Sequence, residues 1–109
     1  MAGEKVRSIV DADFRREVLE AEEAVLVEFT AKWCAPCRAL APTLEAIAGA
    51  YAGRLKVTVL DVDDNHVTPQ QFGIRAMPTL LFFKKGQVAG QIVGAVPRAR
   101  LEEAVLRVV

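Results

Sequence analysis

Two periodicities run through the chain and divide it into elements. Val25-Leu26-Val27-Glu28-Phe29 is a short apolar run broken by one acid, the pattern of a strand buried on both faces. Leu55 to Val62 repeats it with Val57, Val59 and Leu60. Thr79 to Phe83 and Gln87 to Val93 flank Lys84-Lys85-Gly86 and read as a β-hairpin. Between the first two strands, Leu40, Leu44, Ile47 and Tyr51 recur at steps of four, three and four, which is one stripe of a helix. Pro42 removes a donor inside that helix and is expected to kink it, and Gly53 closes the segment. Upstream, Asp11 and Asp13 are candidate N-caps for a helix with Phe14, Val18 and Leu19 inside. Thr68 to Phe72 is at most a short helix before Gly73. Pro97 suits the first turn of a last helix whose inner stripe is Leu101, Ala104, Val105 and Val108.

The order reads β-α-β-α-β-α-β-β-α. Strands separated by helices pair in parallel through right-handed crossovers, and the late hairpin adds an antiparallel pair. The expected architecture is α/β: a mixed central sheet of about five strands, flanked by about four helices on both faces. At 109 residues, with no repeat or Gly/Ser linker, residues 1–109 are expected to form one domain.

Charge narrows the function. Fourteen basic and fourteen acidic side chains cancel, so no global field draws the chain to nucleic acid or membrane. No apolar run approaches the ~18 residues of a membrane span. Glu4, Lys5, Arg7 and Ser8 interrupt the first ten residues, leaving no signal-peptide core, and a cytoplasmic protein is expected. Only two cysteines, Cys34 and Cys37, and one histidine, His66, are present. That is too few for a disulfide-stapled secreted domain or for structural zinc within one subunit.

The cysteines stand three apart, after a strand and at the opening of a helix. Positions i and i+3 of a helical turn lie ~5–6 Å apart at Cβ, close enough for a disulfide to form and break with little backbone movement. A helix mouth offers unpaired N–H donors and the positive end of the dipole, which stabilise a thiolate. Pro36 fits the first turn, and Lys32, Arg38 and Arg75 can add local positive charge. Taken alone, the pair could also be a structural disulfide, half a metal site, or two core cysteines. Within a βαβ context, with Trp33 before it and Pro36 inside it, redox chemistry is the reading.

The segment Phe29-Thr30-Ala31-Lys32-Trp33-Cys34-Ala35-Pro36-Cys37-Arg38 is similar to the active-site signature of thioredoxins. Met77-Pro78-Thr79, Lys85-Gly86 and Val93-Gly94-Ala95 resemble that family's later motifs, in order and without insertions from about Val10 to Val105. The resemblance implies a protein-disulfide reductase with Cys34 as exposed nucleophile and Cys37 as buried resolving thiol. It also implies a cis Met77–Pro78 bond beside them, with the Met77 backbone pairing to substrate. The redox-active Cys34–Cys37 disulfide would serve without a bound cofactor or metal. Electrons would come from a flavin-dependent thioredoxin reductase drawing on NADPH, since the chain lacks a Gly-x-Gly-x-x-Gly of its own.

Glu28, the one acid in an apolar strand, aligns with the family's buried Asp and is the candidate base for Cys37; a strand-end Glu in solvent is the competing reading. Trp33, Ala35, Pro36, Met77, Pro78, Val93, Gly94 and Ala95 are expected to make a flat apolar surface for extended, disulfide-containing protein substrates. Gly94 would let a partner backbone approach closely. Gly73 and Gly86 read as turn residues, and His66 as a loop or helix-start residue without a role. The sequence departs from the pattern at Ala35 for Gly, Thr30 for an aromatic, Glu28 for Asp, and Val59 for a buried Lys. A monomer is expected, with a homodimer contact as the other explanation of the patch. Two other classes stay open: a redox-independent binding module using the surface around Trp33 and Pro78, and a metal or iron–sulfur cluster bridging two chains.

Overall fold

A computed structural model describes residues 5–109. One five-stranded sheet carries the structure, in the order β1-β3-β2-β4-β5. Its strands are β1 (Arg7–Ser8), β2 (Ala24–Thr30), β3 (Leu55–Asp61), β4 (Thr79–Lys84) and β5 (Gln87–Val93). β3 pairs in parallel with both β1 and β2, whereas β4 runs antiparallel to β2 and β5. The leading strand of the expected order, for which no stretch of sequence stands out, is β1 and only two residues long.

Three α-helices, α1 (Ala35–Ala50), α2 (Val67–Gln71) and α3 (Arg98–Leu106), complete the fold. Leu40, Leu44 and Ile47 of α1 and Leu101 and Val105 of α3 pack with Leu26, Val57, Leu80 and Phe82 on one face of the sheet. Phe14 and Val18 pack with Val25, Val27, Phe29 and Phe83 on the other. Burial on both faces is why β2 reads as an almost unbroken apolar run. α1 continues through Pro42 as one helix.

The amino-terminal helix differs from expectation. It is a 3₁₀ turn at Asp11–Asp13 followed by a single π-helical turn at Arg15–Leu19. Asp11 does not cap it. Its carboxylate instead accepts the N–H groups of Val67 (3.1 Å) and Thr68 (2.9 Å), capping α2 across the fold. Asn65 Oδ1 accepts the Asp11 N–H at 2.9 Å and holds it there. At the hairpin, Lys85 and Gly86 both have positive φ, 51° and 80°. Those are the two left-handed positions of a two-residue turn whose twist matches its strands.

Candidate redox site

The strand-to-helix turn after β2 delivers both sulfurs. Cys34 is the N-cap of α1, with extended backbone (φ −88°, ψ 101°), and Pro36 lies in the first turn. The Cys37 N–H donates to Cys34 Sγ at 3.2 Å. A Cα–Cα separation of 5.3 Å accompanies the Cys34–Cys37 disulfide, well inside the range a disulfide needs. The first cysteine therefore takes the place of the usual Ser or Asp cap, and its sulfur receives one of the orphan donors of the helix.

Exposure does not separate the two cysteines, contrary to expectation. Cys34 and Cys37 are each 3% exposed, and Ala31, Val62 and Met77 pack against them. Cys34 is buried at the helix mouth, while its neighbours Trp33, Ala35 and Pro36 take the solvent positions. What distinguishes the pair is position: Cys34 is the cap and its sulfur accepts the Cys37 N–H, whereas Cys37 lies within the first turn. The flanking cations are engaged elsewhere. Arg38 donates to the Lys32 carbonyl, and Lys32 Nζ leans toward Asp64 at 3.8 Å.

Glu28 is inside, 3% exposed, and settles the choice between strand-end and buried acid. Its neighbours in register are Val59 on β3 and Leu80 on β4. Its Oε2 has no hydrogen-bond partner. Desolvation disfavours the charged form and pushes its pKa up to about 7.

Beside Glu28 lies a cavity of ≈ 230 Å³, lined also by Thr30, Cys37, Arg38, Ala41 and Asp61. Glu28 and Cys37 thus line one cavity. In the sequence Thr30 stands out only as a departure from the family pattern, and Asp61 does not stand out at all. The two-residue period of β2 puts Glu28 and Thr30 on one face, and parallel register sets Asp61 beside Thr30. That signal needs the strand pairing, which one sequence does not give.

On the outer side, Trp33 is 65% exposed and Val93 56%. Ala35, Pro36 and Ala95 are also exposed, with Met77 and Gly94 half-buried. The Met77–Pro78 bond is cis, and Met77 packs on the cysteine cluster. Pro78, expected on the surface, is buried. Its carbonyl accepts the Gly94 N–H at 2.8 Å, so it ties the two loops together instead of offering apolar area. Gly94 has φ +98°, and a Cβ added there would meet nothing within 4 Å; backbone conformation is what requires glycine there. His66 sits at the start of α2. Among the described residues, no three His, Cys, Asp or Glu side chains cluster as metal ligands, and no helix is long and apolar enough to cross a membrane.

The thioredoxin family model matches residues 5–107. The thioredoxin of Haemophilus influenzae is 45% identical over 97 residues, covering 89% of this chain and 91% of its own length. That of Pseudomonas aeruginosa is 43% identical over 98 residues, with 90% and 91% covered. That of Synechocystis is 47% identical over 93 residues, with 85% and 87% covered. With the Cys34–Cys37 pair at disulfide distance on its helix mouth, the chain belongs to the thioredoxin family and is a thiol-disulfide oxidoreductase working by dithiol–disulfide exchange.

Proposed function

We propose that this single domain, residues 1–109, is a protein-disulfide reductase in which Cys34 attacks and Cys37 resolves. The carrying observation is the bond from Cys37 N–H to Cys34 Sγ at the N-cap, a donor and a helix dipole that favour negative charge on that sulfur. Cys34 thiolate attacks one sulfur of a substrate disulfide and expels the other as thiolate. Glu28 carboxylate takes the Cys37 proton. Cys37 thiolate then attacks Cys34, forms the Cys34–Cys37 bond and releases the second substrate thiolate. Two electrons pass to the substrate, whose thiolates take protons from solvent. Desolvation opposes a Cys37 thiolate, which is why a base in the same chamber matters.

Substrates dock as extended chains on Trp33, Ala35, Pro36, Met77, Val93, Gly94 and Ala95, with Pro78 setting the loop. A flavin-dependent, NADPH-drawing thioredoxin reductase restores the dithiol. A monomer in the cytoplasm, where thiols are kept reduced, suits this cycle.

Cys37→Ser will accumulate a mixed disulfide through Cys34, and Cys34→Ser will not; trapping through Cys37 overturns the assignment. Glu28→Gln will fold and slow release of the mixed disulfide, and unchanged release rates from pH 6 to 9 overturn the relay. The exposure of Trp33 and Val93 favours one second reading, a binding module indifferent to the thiols. Replacing both cysteines by serine separates them: partner binding and phenotype survive only in the module.

A further inference from the structure

Glu28 has a proton to lose, and its own neighbours in the sheet offer no way out: Val59 on one side and Leu80 on the other are apolar. The cavity opens the remaining direction. Glu28, Thr30 and Asp61 share its wall, and the parallel register sets Asp61 beside Thr30 at the ends of β2 and β3. Asp61 is half-buried, and its Oδ1 accepts the Asp63 N–H at 2.8 Å, which fixes the carboxylate at the rim. A volume of ≈ 230 Å³ with a hydroxyl and two carboxyls on its wall is roomy and polar enough for ordered water. An aromatic side chain at position 30 would take up much of that space.

We propose that Thr30 and Asp61 are positioning residues for Glu28, keeping open a hydrated passage by which its proton reaches solvent. The inference rests on Glu28 acting as the base for Cys37. The Thr30 hydroxyl relays between water at Glu28 and water at the rim. Asp61 receives the proton or passes it to bulk, returning Glu28 to carboxylate before the next cycle. Among the described residues, the charged groups that share this cavity with Glu28 are Asp61 from β3, Arg38 from α1 and Lys32 from the intervening turn, with Cys37 on the same wall.

The test follows the Glu28 carboxyl carbon by NMR in the oxidised protein, which needs no turnover, alongside the pH profile of mixed-disulfide release. Thr30→Leu fills the passage and raises the Glu28 midpoint by about one pH unit, making release about tenfold slower at pH 6. Thr30→Val, which keeps the shape without the hydroxyl, moves it the same way by less, and Thr30→Ser leaves it in place. Asp61→Asn keeps the Asp63 contact, removes a like charge and lowers the midpoint. Should Thr30→Leu fail to fold, Thr30→Val and Asp61→Asn carry the test. A midpoint indifferent to these changes overturns the passage even if Glu28→Gln slows release. A midpoint that moves while release does not leaves the passage standing and removes Glu28 as base.

Discussion

Glu28 and Val59 stand side by side in the parallel ladder of β2 and β3, so the buried carboxyl has an isopropyl group where the family pattern offers an ammonium. Strands ~4.8 Å apart bring such neighbours into contact. With no cation beside it in the ladder, desolvation dominates and the Glu28 pKa climbs to about 7. Val59→Lys supplies that charge. The Glu28 midpoint should fall back toward the ordinary carboxylate range, read by NMR titration. Release of mixed disulfide at pH 6 should quicken severalfold, because more Glu28 is ionised. The variant should also be less stable by about 1–3 kcal/mol, since the pair must be desolvated in a packed interior.

The same carboxyl makes stability depend on pH. Its pKa is 4.5 when unperturbed and about 7 in the fold. Below pH 4.5 both states hold the proton and Glu28 costs nothing. Between 4.5 and 7 the unfolded chain ionises while the native state does not, so stability falls as pH rises, then levels off. The full loss is about 3 kcal/mol. Glu28→Gln should therefore match the wild type in urea melts near pH 4 and exceed it by about that amount at pH 8. Equal stabilities at pH 8 would show that the carboxylate is accommodated in the fold.

Much of this is legible in the sequence because it is local. The apolar runs of β2, β3 and β4, the stripe on α1 and the Cys34–Cys37 spacing each lie within a few residues. What escapes depends on distant chain meeting. Asp11 reads as the cap of the helix just after it, yet its carboxylate caps α2, more than fifty residues on. The resemblance implies an exposed Cys34, yet it is buried, with Met77 packed on the cysteine cluster. The cavity joining Glu28, Thr30 and Asp61 exists only once β2 and β3 are in register.

That long-range cap yields an acid-side effect. Burial raises the Asp11 pKa, but hydrogen bonds from Thr68 and Val67 outweigh it and the net shift is downward. A depressed carboxylate stabilises the fold above its unfolded pKa and loses that contribution as pH falls through the folded one. Asp11→Ala should cost about 1–2 kcal/mol at pH 7. The difference should shrink in melts toward pH 2, where the wild-type carboxylate is protonated too.

Gly86 and Gly94 both hold positive φ, yet their substitution should not cost the same. At Gly94 an added Cβ meets nothing within 4 Å, so Gly94→Ala carries only the conformational penalty of ~1 kcal/mol. At Gly86 a Cβ would lie 2.9 Å from the Leu19 carbonyl oxygen. Backbone cannot swing aside as a side chain does, so Gly86→Ala adds steric displacement to the same penalty. Thermal melts should show a fall of about 4–8 °C for Gly94→Ala and a clearly larger one for Gly86→Ala. Substrate reduction, by contrast, should suffer more at Gly94, whose N–H is held by the Pro78 carbonyl next to Met77 of the cysteine cluster, than at the hairpin turn.

The residues between the cysteines govern the direction of electron flow. Ala35 and Pro36 bring no side-chain donor to Cys34 Sγ, which in the cap has the Cys37 N–H as its hydrogen bond. Each further donor to the thiolate would favour the reduced form and make the couple more oxidising. Equilibration against glutathione should therefore place the wild-type potential below the ~−240 mV of that couple. Pro36→His adds a cationic donor at the helix mouth. A charge-assisted hydrogen bond contributes ~1.5–3 kcal/mol, equivalent for two electrons to a rise of about 30–60 mV. A wild-type potential above glutathione would make the protein an oxidant or isomerase, and a lower potential in Pro36→His would remove thiolate stabilisation as the controlling factor.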